Sequence, residues 1–237
     1  SQEKEAMDVL NKAAERADIK TTKVVNLDEI RILPQKDGKQ CFSYAGYDAV
    51  TMKMLGVHQY ENAVAAMLAA ELFFEKYFAG KKNVPELKAL QHAIREGIDR
   101  TQWLGRMELV SNDPFFLMDG AHNSNGVEAL KKSLETMYPD EKFHFIMGVM
   151  ADKDYGEMIR ELLPLALDFK TVTVESERAL QGEALADCIR AKGIPAEAYR
   201  NLEDVLPDFS KSSAEKTVAF GSLYFIGEIE AFLRGKQ

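Results

Sequence analysis

The sequence predicts an α/β protein in which a mostly parallel sheet is flanked by helices. Beyond Thr101, short apolar segments alternate with segments of helical periodicity, a pattern typical of a parallel sheet covered on both faces. Residues 1–80 lack that alternation and combine helical segments with short alternating ones. They therefore predict a small α+β region that precedes the main domain.

The region before the main domain is predicted to hold two helices and a small antiparallel patch. Apolar residues recur at helical spacing over 5–17 and 59–78. Alternating segments indicate strands at 22–25, 30–33 and 40–44. Asp37-Gly38 is a hairpin signal between the last two strands.

A linker is predicted at 80–85, which contains two lysines, a glycine and a proline, and a short helix follows at 86–97. The main domain then supplies the strands and helices of the parallel sheet. Its predicted strands are 115–118, 142–149, 170–174, 196–200 and 217–220. Its predicted helices are 125–138, 155–163, 183–191, 202–210 and 223–233. The predicted domain division is 1–80, 81–102 and 103–237.

Composition excludes several classes of function. The 237 residues are 46% hydrophobic and 29% charged, which is the balance of a globular protein, and no apolar stretch reaches the ~20 residues of a membrane span. A net charge of −8 disfavours binding to nucleic acid. Cys41 and Cys188 belong to no metal-binding or redox spacing, which favours a reducing cytoplasm.

The most informative segment is Asp119-Gly120-Ala121-His122-Asn123, between a buried strand and a helix. Open α/β sheets bind ligands at the carboxyl ends of their strands, where this segment lies. A purely structural interpretation is equally open from the spacing. In it, Asp119 or Asn123 caps a helix, Gly120 supplies a positive φ and His122 is merely exposed.

Further candidate residues lie at or near the same predicted edge. Ser222 follows a strand and is predicted to be a helix N-cap, yet it could share a pocket with His122. The run Ala151-Asp152-Lys153-Asp154 follows another strand, and a solvated charge run is the favoured interpretation. Arg106 could bind phosphate or be a surface residue. Asn62, among apolar helix residues, needs a hydrogen-bond partner that could be the protein or a ligand.

Motifs of other enzyme classes are absent. No G-x-G-x-x-G follows a strand, which removes the main signature of a dinucleotide-dependent oxidoreductase, and there is no P-loop, H-E-x-x-H or G-x-S-x-G. Only four histidines occur, so a histidine-rich metal site is not expected. His144, which alternates within a strand, is interpreted as structural, and His92 as part of a solvated helix.

Five short motifs, in order, resemble the folylpolyglutamate synthase/dihydrofolate synthase family of the Mur ligase superfamily. They are Leu55–Gln59 with Asn62-Ala63, Gly105-Arg106, Asp119–Asn123, Asp152–Asp154, and Gly221–Tyr224 with Ile226–Glu228. The resemblance implies a Rossmann-like carboxyl-terminal ligase domain, preceded by a remnant of a central ATPase domain. It also implies that the chain is a carboxyl-terminal portion, with the phosphate loop and most magnesium ligands upstream.

The reaction implied by the resemblance is ATP-dependent addition of L-glutamate to a folate or dihydropteroate carboxylate through an acyl phosphate. ATP and Mg²⁺ would be required. The partners would be these substrates and the missing ATPase portion of the same protein. The protein would be a monomer and would bind neither nucleic acid nor membrane. Arg106, Asp119 and His122 would be catalytic. Asn62, Arg106 and Asp119 would contact ATP, whereas His122 and Ser222 would contact glutamate.

The sequence departs from the family pattern at several loop positions. Leu104 and Ser124 stand where the family usually has proline, and Phe220 where it often has threonine. A Pro-Arg pair is replaced by Glu177-Arg178, which leaves a role for Arg178 open. The alternative function is a non-catalytic domain that binds folate or glutamate without the ATPase half.

Overall fold

The computed structural model describes residues 4–36 and 38–235, and these fold into two compact units. Unit 1 comprises the residues up to Lys53 together with His58–Gln102. Unit 2 comprises Met54–Val57 and the residues from Trp103 onward. The domain division inferred from the sequence stays a prediction.

Unit 1 is a three-stranded antiparallel sheet with helices. Its helices are α1 (Lys4–Arg16), α2 (His58–Phe78) and α3 (Leu87–Arg100). Its strands are β1 (Arg31–Lys36), β2 (Lys39–Tyr44) and β3 (Tyr47–Met52), in the order β1-β2-β3. Asp37 of the predicted hairpin signal lies outside the described residues, and Lys36 pairs with Lys39 across that turn.

The strand predicted at 22–25 is wrong. This segment has no regular secondary structure, and Val24 is exposed. Lys23 Nζ instead forms ion pairs with Glu71, at 3.0 Å, and Glu75 of α2. The segment is therefore attached to α2 through the Lys23 side chain, and its backbone pairs with no strand.

The unit 1 sheet and two helices enclose a small apolar core. Phe42 and Val50 point from the sheet into this core, where Val64 and Met67 of α2 and Ile94 of α3 meet them. Apolar side chains from four elements, β2, β3, α2 and α3, are therefore buried together in this unit.

Unit 2 contains a six-stranded sheet. Its strands are β4 (Glu108–Asn112), β5 (Phe115–Asp119), β6 (Phe143–Met147), β7 (Ala166–Val172), β8 (Ala196–Tyr199) and β9 (Lys216–Phe220). Its helices are α4 (Ser124–Met137), α5 (Tyr155–Leu162), α6 (Gly182–Arg190) and α7 (Leu223–Gly235). The order is β4-β5-β9-β6-β7-β8, and all neighbours are parallel except β4, which is antiparallel to β5.

This mixed, mostly parallel sheet confirms the predicted fold class, with two local differences. Strand β4 was not predicted, and its pairing with β5 is interrupted by an irregularity between Leu109 and Ser111. The helix predicted at 202–210 is wrong, because only a 3₁₀ turn forms at Leu202–Asp204. Pro207 lacks the amide hydrogen that a continuing helix would need.

Two apolar layers cover the sheet. Helices α4, α5 and α6 pack on one face through residues such as Leu130, Ile159 and Leu185, and α7 packs on the other through Phe225 and Ile229. None of the helices within the described ranges is both long and apolar enough to cross a membrane.

The strand order determines which loops lie together. Strand β9 lies between β5 and β6, and the three are parallel, so the loops after their carboxyl ends share one edge. The loop after β7 follows on the same edge. This is the edge at which open α/β sheets bind ligands.

Candidate functional site

Asp119 ends strand β5 and ties two loops together. Its side chain is buried, with 5% of the residue exposed. The Oδ2 atom accepts a hydrogen bond from the Met107 amide at 2.8 Å, and Oδ1 accepts one from the Ala121 amide at 2.8 Å. The carboxylate therefore fixes the residue after Arg106 and the residue before His122 at once.

Burial raises the pKa of Asp119 above its ordinary value, because the charged form loses its contact with water. The two backbone hydrogen bonds act in the opposite direction, and so does the nearby positive charge of Arg106. Arg106 is itself half-buried. The site thus places a dehydrated carboxyl group beside two basic side chains.

Two glycines allow the loops around Asp119 to approach each other. The Gly120 amide donates to the Gly105 carbonyl at 2.7 Å. Gly105 has a φ of +66°, whereas Gly120 does not adopt a positive φ, so the predicted reason for Gly120 is wrong. Space is tight there instead, because a Cβ at Gly120 would lie 3.2 Å from the Gly105 carbonyl oxygen, which is backbone.

The loop after β9 is joined to the Asp119–Asn123 segment. The Gly221 amide donates to the Ala121 carbonyl at 3.0 Å. Ser222 is buried, and its Oγ accepts from the Tyr224 amide at 3.1 Å, which confirms the predicted N-cap of α7. Asn123 caps α4 in the same way, accepting from the Gly126 amide at 2.8 Å.

His122 and Ser222 line one cavity of about 150 Å³ at this edge. Lys153, Arg178 and Tyr224 also line it, so the cavity presents two cationic side chains and an imidazole. The His122 ring nitrogen Nδ1 lies 2.8 Å from the Gly120 carbonyl oxygen, which can only accept. Nδ1 therefore carries the proton, and Nε2 of the neutral ring is an acceptor.

Lys153 and Arg178 line the cavity, although the sequence analysis assigned neither of them to the site and left a role for Arg178 open. The run 151–154 was interpreted as a solvated charge run, but its members have different roles. Lys153 lines the cavity, Asp152 accepts a hydrogen bond from Arg178 at 2.7 Å, and Asp154 caps α5. The available signal was positional, since both loops follow parallel strands of the same sheet.

The Asp152–Arg178 ion pair is electrostatically favourable. Partial burial alone would raise the pKa of Asp152, but the hydrogen bond and the charge of Arg178 lower it below the ordinary value. Asp152 is therefore ionised at neutral pH. A second cation, Lys153, lies 3.9 Å from the same carboxylate oxygen.

The other candidate residues have local partners. Asn62 lies in unit 1, where its Nδ2 donates to Oε1 of Gln59 at 3.1 Å. His144 on β6 is 2.8 Å from Asp168 Oδ2 on β7, which favours its structural interpretation. His92 is exposed on α3. Within the described ranges, no group of three or more His, Cys, Asp or Glu side chains could hold a metal ion.

A larger cavity of about 770 Å³ lies elsewhere in unit 2, between β4, the 202–210 segment and the end of α7. Its lining includes Glu203, Asp208 and Phe209 but no Lys, Arg or His. The lining therefore offers an anionic substrate no cationic side chain, and the neighbouring Lys211 is paired with Asp208 at 2.8 Å. The smaller cavity at the carboxyl edge is therefore the better candidate for anionic chemistry.

Comparison with known proteins identifies the domain that carries this cavity. Residues 105–220 match the family model described as "Mur ligase, glutamate ligase domain". A dihydrofolate synthase/folylpolyglutamate synthase of Bacillus subtilis is 30% identical over 191 residues, which cover 79% of this chain. The chain belongs to the folylpolyglutamate synthase/dihydrofolate synthase family. It corresponds to the carboxyl-terminal portion of such proteins, spanning 42% of the Bacillus relative.

Other family members agree in sequence and fold. The folylpolyglutamate synthase of Lacticaseibacillus casei is 26% identical over 203 residues, covering 83% of this chain and 44% of that protein. The crystal structure of the Thermotoga maritima folylpolyglutamate synthase matches with a TM-score of 0.73 at 25% identity. That match covers 100% of this chain and 53% of the Thermotoga chain.

A Mycobacterium tuberculosis folylpolyglutamate synthase, solved in complex with ADP and AMPPCP, matches with a TM-score of 0.78 at 24% identity. The match covers 98% of this chain and 53% of the mycobacterial chain. At this identity the likeness establishes the fold. The fold of this chain is therefore that of folylpolyglutamate synthases.

Proposed function

We propose that this chain is the carboxyl-terminal portion of an ATP-dependent ligase that adds L-glutamate to a folate or dihydropteroate carboxylate. The cavity at the carboxyl edge of the sheet supports this proposal most directly. It is lined by Ser222 and by His122, Lys153 and Arg178, and the last three lie within the residues that match the glutamate ligase domain model. In this proposal the chain needs the ATPase portion of the enzyme and is inactive alone.

The chemistry of amide formation explains the charges of the cavity. The folate carboxylate first takes the γ-phosphoryl group of ATP, and ADP leaves. The amine of glutamate then attacks the acyl carbon, and phosphate leaves with the bonding electron pair. Glutamate carries two carboxylates, so bringing it beside an acyl phosphate requires positive charge at the cavity. Lys153 and Arg178 supply that charge.

His122 has a suitable tautomer for the second step. Its Nδ1 donates to the Gly120 carbonyl, which leaves Nε2 as an acceptor. In the proposal, Nε2 takes the proton that the attacking amine loses. Ser222 keeps its Oγ as the N-cap of α7, and its hydroxyl hydrogen is then available to donate to a glutamate carboxylate.

Arg106, Asp119 and Asn62 are proposed to act on the nucleotide. Arg106 would offset phosphate charge, and Asn62 would hold the adenine ring. Asp119 would fix the nucleotide through the loops to which it is bonded, since both of its oxygens already accept backbone hydrogen bonds. Magnesium would offset the charge of the phosphates, and no residue of the described ranges is assigned to it.

We predict that Asp119→Ala lowers glutamate addition at least tenfold, because both backbone hydrogen bonds that orient the Arg106 and His122 loops are lost. The measurement uses a hybrid in which this chain replaces the homologous part of the Bacillus subtilis enzyme. Glutamylated folate is followed by mass spectrometry with ATP, folate and L-glutamate present.

Asp187→Ala is the matched control, since Asp187 is an exposed helix residue of α6. Asp119→Asn preserves side-chain volume and keeps the experiment informative if the alanine variant unfolds. Near-normal glutamate addition by a folded Asp119 variant would remove Asp119 from the proposed site.

A further inference from the structure

Arg178 is an exposed side chain that one carboxylate holds in place. Its side chain is 66% exposed, and a long flexible cation at such a position is ordinarily mobile. Its Nη2 atom donates to Oδ2 of Asp152 at 2.7 Å. Among the described residues, this is the single side-chain acceptor that the structure gives the guanidinium. Asp152 therefore determines where the positive charge of Arg178 sits.

Backbone contacts hold the two loops together independently of that ion pair. The Ala151 amide donates to the Arg178 carbonyl at 2.8 Å, and the Leu180 amide donates to the Val149 carbonyl at 2.9 Å. Met150 and Ala179 form an antiparallel bridge between them. Loss of the Asp152 carboxylate would thus release the Arg178 side chain and leave the loops joined.

Asp152 does not line the cavity, whereas Arg178 does. The carboxylate contacts one guanidinium nitrogen and leaves the other donors for a ligand. A guanidinium already held in position loses less conformational entropy when it binds a carboxylate. Fixing Arg178 at the cavity therefore strengthens binding of a carboxylate-bearing ligand without contact between Asp152 and that ligand.

We propose that Asp152 is a positioning residue that holds Arg178 at the cavity to receive a carboxylate of the incoming amino acid. This inference rests on the proposed function, which makes L-glutamate that amino acid. It assigns the two acidic residues of the 151–154 loop different tasks, because Asp154 caps α5 and does not contact Arg178.

The test is a titration of the 237-residue chain with L-glutamate, combined with NMR of the Arg178 Nε–H group. We expect Asp152→Asn to make that group mobile and to weaken glutamate binding about tenfold. Asp154→Asn is the matched control, since it makes the same charge change in the same loop and asparagine also caps helices. It should change neither the Nε–H signal nor the dissociation constant.

A double-mutant cycle separates positioning from a general loss of structure. If Asp152 acts through Arg178, adding Asp152→Asn to Arg178→Gln should weaken binding no further. The inference would be overturned if Asp152→Asn weakened glutamate binding as much in the Arg178→Gln variant as in the wild type. It would also be overturned if Asp152→Asn left the Arg178 Nε–H signal unchanged. If Arg178 responds but the wild-type chain does not bind L-glutamate, the inference is overturned, because the positioned guanidinium then receives no carboxylate. Glutamate addition by the hybrid enzyme tests the proposed function separately.

Discussion

The backbone at Gly221 is under two constraints. Its φ is +120°, a conformation that side chains other than glycine rarely adopt, and a Cβ there would lie 2.6 Å from the Gly148 carbonyl oxygen. Because that neighbour is backbone, it cannot rotate away as a side chain would. Glycine at position 221 therefore allows the loop after β9 to contact the loop after β6 beside the cavity.

We predict that Gly221→Ala lowers the free energy of unfolding by about 2–4 kcal/mol, through backbone strain and the clash with Gly148. Urea unfolding measures the change. Gly227→Ala is the control, because Gly227 is an exposed residue of α7 with nothing within 4 Å of the added Cβ. It should raise stability by about 1 kcal/mol through helix propensity. Equal effects at the two positions would contradict this account of Gly221.

At the residue scale, the sequence indicated His122 and Ser222 because each lies two or three residues beyond the end of an apolar strand. Lys153 and Arg178 were missed for a physical reason. Each lies in a loop rich in charge, where solvent exposure is the usual outcome. Only the alignment of β6 and β7 in the sheet, and the bridge between Met150 and Ala179, brings both cations to one cavity.

At the scale of elements, the alternation of strands and helices after residue 101 predicted the parallel sheet because each element carries its own periodicity. Strand β4 and the 202–210 segment were not predicted correctly. Strand β4 lies at the edge of the sheet, its side chains are partly exposed, and its pairing with β5 is irregular. Its sequence therefore shows no clear alternation of apolar and polar residues. In the 202–210 segment, helix-like spacing was outweighed by Pro207.

Helix α3 is attached to the unit 1 sheet through Asp99. This carboxylate accepts from Lys39 Nζ at 2.7 Å and from Thr51 Oγ1 at 2.6 Å, so it joins α3 to β2 and β3. The hydrogen bond from Lys39, followed by that from Thr51, lowers the pKa of Asp99 below its ordinary value. The ionised form is therefore the one that stabilises unit 1.

We predict that Asp99→Asn destabilises the chain by about 1 kcal/mol at pH 7, given the partial exposure of the ion pair. The folded-state pKa lies below the unfolded value of about 3.9, so the contribution of Asp99 is complete well above that pH. It is lost as the pH falls through the lower, folded-state pKa. The difference between wild type and variant in urea unfolding should therefore be constant near neutrality and shrink below about pH 4.

Asp8→Asn, an exposed change in α1, is the control for Asp99→Asn and should have little effect at any pH. If the Asp99→Asn difference instead grew as the pH fell, the proposed direction of the pKa shift would be incorrect.

At the scale of the whole molecule, the chain carries a net charge of −8, yet its candidate cavity is lined by the cations Lys153 and Arg178. Positive charge is thus concentrated where anionic substrates are proposed to meet. The family match and the spans of 42% and 44% of two curated relatives indicate that such relatives contain more than these two units. The proposed division of labour leaves the acyl phosphate to be formed with the remaining portion.

The most direct test of this division compares three samples for ATP-dependent formation of glutamylated folate. They are the hybrid enzyme, the 237-residue chain alone and the remaining Bacillus subtilis portion alone. The proposed function predicts product from the hybrid and none from either part by itself. Product from the 237-residue chain alone, or a folded hybrid that binds ATP but adds no glutamate, would contradict it.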